Sequence, residues 1–209
     1  VLKPRISQLA SSIDADVANS YKAVYSSVGT PGTTPSTSLV LLQAQQKLNE
    51  NAAVMSPRYA TVNPAANAGL VEGMKGLFNP TDTISRQFKN GMMGEGILGL
   101  DEINMSQSIV NHTTGVTPVA PIIATSVTAQ GTSSLAISFT SGSPTFNVGD
   151  VFTISGVYAV NPQTRQSTGS LQQFVVTTPV AVSSGTTATL TVSPAIYTPA
   201  NALATVDSF

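Results

Sequence analysis

Residues 94–99, GEGILG, fit the spacing G-x-G-x-x-G, by which some strand–turn–helix units bring backbone N–H groups to a dinucleotide phosphate. That chemistry needs a strand before the glycines, a helix after them and an acid about 20 residues further on. The preceding RQFKNGMM is not strand-like, and residues 113–122 hold no Asp or Glu. Gly91, Gly94, Gly96 and Gly99 therefore read as turn residues. His112 is the only histidine, and there are no cysteines. One histidine cannot form a two-histidine metal site, and as a general base it would need a nucleophile and an orienting group. It reads as a packed or hydrogen-bonded structural residue. Neither a G-x-S-x-G elbow nor a phosphate-binding P-loop occurs. Asp14 and Asp16 diverge if helical, and Asp101 and Glu102 point to opposite faces if extended. The expectation is a non-enzyme with no catalytic residue, cofactor or metal.

The remaining charge suggests contacts rather than reactions. Arg58, Lys75, Arg86 and Lys89 form a candidate basic face, diluted by Glu72 and Asp82. An intersubunit ion-pair role suits them at least as well as nucleic acid. Net charge is -1 and only 9% of the 209 residues are charged, against about 25% in an average soluble domain. The hydrophobic fraction is an ordinary 41%, so disorder is a poor fit. Few charges suit surfaces that pack against neighbours, because interface centres are depleted of them. The longest apolar stretch, Leu39–Leu42, is far short of the ~20 residues of a spanning helix, so no membrane partner is expected. A pI of 5.7 gives no electrostatic footprint for specific nucleic-acid binding. The chain begins at Val1 and ends at Phe209, and it reads as a segment of a longer polypeptide.

The elements that would position these groups change character along the chain. Sixteen of the nineteen charged residues precede residue 103, and only Asp150, Arg165 and Asp207 follow. This shift places a boundary near Gly115–Pro118. Ile6, Leu9, Ile13, Val17, Tyr21, Val24 and Val28 recur at spacings of three and four, which predicts one long helix over 5–28. Pro- and Thr-rich residues 30–36 read as a loop. A second helix is expected over about 37–50 with Ser36 or Thr37 as N-cap, followed by a short strand, Ala52–Met55. Residues 58–62 read as a strand or turn. Asn63-Pro64 opens a third helix to about Phe78, a short helix is expected at 82–89, and 100–110 read as extended. From 117 the period becomes that of strands: Ile122–Thr128, Leu135–Thr140, Val151–Val157, Gln173–Thr178, Ala181–Ser183 and Ala188–Val192. Gly and Pro signals between them suggest a small barrel or sandwich.

Residues 56–115, with RYATVNPAANAGLVEGMKGLFNPTDTISRQFKNGMMGEGILGLDEINMSQSIVNHTTG, resemble the P-22-type coat-protein branch of the HK97-like capsid family of tailed bacteriophages. The matching positions are Asn63-Pro64, Leu77-Phe78-Asn79, Ile84-Ser85-Arg86-Gln87, Gly91, Gly94, Leu98-Gly99-Leu100-Asp101, Ser106-Gln107 and His112-Thr113-Thr114-Gly115. Residues 146–157, FNVGDVFTISGV, resemble a strand pair of the same branch. The resemblance implies an α+β chain with the HK97-like phage capsid fold. Residues 1–30 would supply a long spine helix, 31–115 part of the axial domain, and 116–209 an inserted small β-barrel. It also implies a major capsid subunit that self-assembles into pentamers and hexamers of an icosahedral shell around double-stranded DNA. The shell would be built in the host cytoplasm, with scaffolding, portal and decoration proteins as possible partners and DNA contacted non-specifically. Arg58, Arg86, Lys89, Gly91, Gly94, Gly96 and Gly99 are the candidate subunit-contact or turn residues. A tail, fibre or adhesin module that binds carbohydrate or a host surface is the alternative.

Overall fold

The computed structural model describes residues 2–74, 94–117, 119–125, 127, 129–183, 187–198 and 205–206. The chain forms two compact units, residues 1–19 with 28–110, and residues 20–27 with 111–209.

The first unit contains three α-helices among its described residues: α1 (Leu2–Ala18), α2 (Ser38–Glu50) and α3 (Pro64–Met74). α2 follows Thr37, whose backbone is extended. At its far end Ala53 N–H donates to Leu48 C=O and Ala52 N–H to Asn49 C=O. Ala52, at φ 55, thus closes the helix in the left-handed conformation of a Schellman cap. This cap takes the place of the strand expected at Ala52–Met55. α3 starts at Pro64, which lacks an N–H that the first turn could not use. Asn63 Oδ1 accepts the N–H of Ala66 at 2.7 Å, which satisfies one free donor of that turn.

A three-stranded sheet of order β1-β3-β2 lies beside these helices, built from β1 (Tyr59–Val62), β2 (Gly94–Ile97) and β3 (Leu100–Met105). β1 and β3 are parallel, while β2 and β3 form a hairpin in which Ile97 pairs with Leu100. The two turn residues, Leu98 (φ 54) and Gly99 (φ 73), both have the positive φ of a twist-matched two-residue hairpin. Gly94 and Gly96 therefore occupy a strand, where turns were expected. Leu41, Leu70, Met74, Leu100 and Ile103 form the core. The helix expected at 82–89 lies outside the described residues.

The second unit is an antiparallel sheet of order β4-β5-β10-β8-β7, made of β4 (Ile122–Ile123), β5 (Thr132–Ser138), β7 (Val151–Val160), β8 (Ser167–Val176) and β10 (Thr187–Ile196). A two-stranded ribbon pairs β6 (Thr145–Phe146) with β9 (Val180–Ala181). The core is apolar and fully closed at its centre, around Leu135, Ile137, Phe174, Val176, Leu190 and Ile196. Leu135 faces Leu190 across β5–β10, and Phe152 stacks on its cross-strand partner Phe174 at 5.9 Å. Such pairs are the unit of sheet stabilisation. Along edge strand β7 the register slips between Thr153 and Tyr158, around Gly156 at φ 83. This bulge makes the edge a poor template for further strands.

The HK97-like architecture, with a long spine helix and an inserted β-barrel, is not the one formed. Among the described residues strand outweighs helix, 32% against 26%, and no long spine helix occurs. The helix expected over 5–28 ends at Ala18 and passes into a 3₁₀ turn, Asn19–Ala23. Asn19 and Ser20 compete for backbone hydrogen bonds and are weak helix formers. Residues 24–28 have no regular structure, and 20–27 belong to the second unit. Among the described residues the second unit is a curled antiparallel sheet in which no ladder joins its end strands β4 and β7.

Candidate functional site

The densest polar cluster of the second unit is built on Asp150, the last residue of the tight turn 147–150 that leads into β7. Asp150 Oδ2 accepts the N–H of Asn147 at 2.7 Å and that of Gly115 at 3.0 Å. Oδ1 lies 2.7 Å from His112 Nε2. Asn147 Nδ2 donates to Thr113 C=O at 3.0 Å, and Val116 N–H to Thr145 Oγ1 at 3.1 Å. The carboxylate thus ties residues 112–116 to the 145–150 turn. Both oxygens are engaged, and the imidazole and carboxylate are only 20% and 13% exposed. Held in this way, the pair forms a structural cross-link.

Residues 20–27 run over this cluster as a strap. The Tyr21 ring meets His112 edge-on, with centroids 6.0 Å apart and planes at 86°. Its hydroxyl is buried without a hydrogen-bond partner among the described residues, and desolvation raises the phenol pKa above its ordinary value. The stem of Lys22 passes directly over Gly149. A Cβ there would come within 3.0 Å of Lys22 Cγ and 3.2 Å of His112 Cε1. Gly149 also has φ 96, so both backbone conformation and space require glycine. At the other end of the strap, Gln173 on β8 reads the backbone of Ser27 as a neighbouring strand would. Its Oε1 accepts Ser27 N–H at 3.0 Å, and its Nε2 donates to Ser27 C=O at 2.9 Å and to Oγ at 3.1 Å.

No protein-family model matches this chain, and no curated protein matches it. The site must therefore be read from its own geometry.

Of the candidate contact residues, Arg58, Gly94, Gly96 and Gly99 lie among the described residues, all in the first unit. Arg58 is buried at 6% exposure. Its Nε donates to Val54 C=O at 2.8 Å and its Nη2 to Ala53 C=O at 3.0 Å, which pins the loop after α2. Arg58 N–H donates to Asp101 Oδ2 at 2.6 Å, and Asp101 N–H returns to Arg58 C=O at 2.8 Å. Arg58 is thereby joined to the start of β3, two residues from Gly99, with its guanidinium bonded to the loop after α2. Gly94 and Gly96 lie on β2. Arg86, Lys89 and Gly91, with Lys75, lie outside the described residues. Among the described residues no group of three or more His, Cys, Asp or Glu could hold a metal ion, and no helix is long and apolar enough to cross a membrane.

Residue patterns alone did not single out Tyr21, Asn147, Gly149, Asp150 or Gln173 as partners. Gly149-Asp150 carries a turn signal. Nothing in the sequence around Gln173 distinguishes it from other polar residues of a strand.

Proposed function

We propose that this chain is a structural subunit that assembles with copies of itself, and specifically a coat subunit of a bacteriophage shell. The observation that carries the reading is the stripe on α1. Ile6, Leu9, Ile13 and Val17 fall on one helical face and are 64%, 62%, 56% and 66% exposed. Burying a side chain of this kind contributes roughly 1.5–3 kcal/mol, so four in a row favour a partner surface. Val54, Met55, Tyr59 and Val116 add further exposed apolar area. With 9% charged residues, such surfaces carry few groups that are expensive to desolvate.

Many copies joined by heterologous contacts close into rings when the rotation allows it, and contacts that are weak singly become strong together. The motif resemblance in residues 56–115 and 146–157 supports pentamers and hexamers of a shell in the virion. Packaged DNA would be touched non-specifically, and scaffolding, portal and decoration proteins would be partners in assembly. Negative-stain microscopy of the purified full-length protein tests this. Closed spherical particles are expected, and a protein that stays monomeric at every concentration would overturn it.

The strand-rich second unit favours one other reading, a tail or fibre module. Trimers or rods in the same micrographs would select it.

A further inference from the structure

We propose that the groove on the second unit that holds residues 20–27 is an exchange site, able to take the same segment from a second copy. The proposal deepens the self-assembly reading and rests on it in one respect, that copies meet.

The groove is formed by Gly149, His112 and Gln173, and its present occupant is the chain's own strap. Tyr21 stands against His112, the stem of Lys22 fills the space left by the missing Cβ of Gly149, and Gln173 takes both backbone groups of Ser27. These contacts recognise a peptide segment. A second copy carries an identical segment, so complementarity to it is complete by construction, and exchange of an identical element is a low-cost route to association.

Connectivity allows the exchange. The strap is flanked on both sides, at residues 19 and 28, by the first unit. The only other crossing between units is at Val110/Asn111. On one side of it Ser106 N–H is bonded to Val62 C=O, and on the other Gly115 and Thr113 are bonded to the 147–150 turn. Residues 109–111 carry none of the described hydrogen bonds, and no helix or strand occurs among the described residues between Met105 and Ile122. A change at this connection would let the strap make the same contacts on a neighbour's second unit. What holds the strap at home is its high effective concentration, and a crowded shell lattice removes much of that advantage.

The chain has no cysteine, which permits a clean test. Full-length Ser27→Cys and a size-tagged Thr153→Cys chain, Thr153 being the exposed cross-strand neighbour of Gln173, are unfolded together, refolded together at high concentration, and treated with a short bis-maleimide. A heterodimer band several-fold stronger than that from Ser27→Cys with Thr187→Cys is expected, and Gln173→Ala in the Thr153→Cys chain should weaken it. The doubly substituted Ser27→Cys/Thr153→Cys chain at high dilution reports the closed form. Oligomers in light scattering with links found only inside single chains would sink the exchange and leave self-assembly standing. No oligomers at any concentration would sink both.

Discussion

His112 Nε2 and Asp150 Oδ1 lie 2.7 Å apart although 38 residues separate them in the chain. With Gly115 and Asn147 donating to the other oxygen, one carboxylate joins the entry to the second unit to the turn before β7. The cluster's role is to hold backbone in place, and its loss should be read as lost stability.

Replacing Asp150 with Ala strands two backbone N–H groups and the imidazole. Hydrogen bonds to charged groups contribute about 1.5–3 kcal/mol each, and the partly exposed donors left behind can turn to water. The expected destabilisation is roughly 3 kcal/mol in urea unfolding, with an unchanged m-value. A loss below about 0.5 kcal/mol would show that the cluster is not a cross-link.

Tyr21 offers a test with the opposite sign. Its hydroxyl is buried without a hydrogen-bond partner among the described residues, so Tyr21→Phe should be neutral or stabilising by up to about 1 kcal/mol. The pH behaviour follows from burial, which raises the phenol pKa. The fold favours the neutral phenol, so its contribution is fully present below about pH 10 and falls as pH rises through the higher folded value. Thermal unfolding of the native protein should weaken more steeply above pH 10 than that of Tyr21→Phe. Parallel curves would contradict the assignment.

Arg58 should behave as an internal brace. Arg58→Ala removes both bonds to the carbonyls of Ala53 and Val54 and should destabilise the protein by about 3 kcal/mol. Arg58→Lys should recover only part of this, since an ammonium cannot reproduce the planar fork. If both variants kept full stability while changing oligomeric state, Arg58 would be a contact residue after all.

The α1 stripe should show the reverse pattern. Leu9→Lys and Ile13→Lys alter side chains that are already exposed, so unfolding free energy should shift by no more than about 0.5 kcal/mol. Sedimentation velocity should nonetheless show loss of the larger species. Retained assembly with both lysines present would remove the stripe from any interface.

Local chemistry made much of the element pattern legible in advance. Pro64 opens α3, Thr37 precedes α2, and the Gly and Pro punctuation after residue 117 separates short strands, because caps and turns depend on residues within a few positions of one another. The edges of β8 were less visible. Ser167–Leu171 has one β-branched residue, Thr168, set among two serines and Gly169, a weak strand signal, and it is held by pairing with β7. The apolar period over 5–28 was real, but it described a face without saying what would cover it. α1 keeps that face to Val17 and leaves it in solvent. Beyond Ala18 the chain leaves the helix, and Ser27 is held by Gln173, 146 residues away. The sequence by itself determined which segments are helix- or strand-forming, where turns fall and how little charge the surface carries. Only the tertiary structure decided where the first helix stops, that Arg58 turns inward and that His112 meets Asp150. Each of these rests on contacts that exist only once distant segments are brought together, and local propensity cannot encode them.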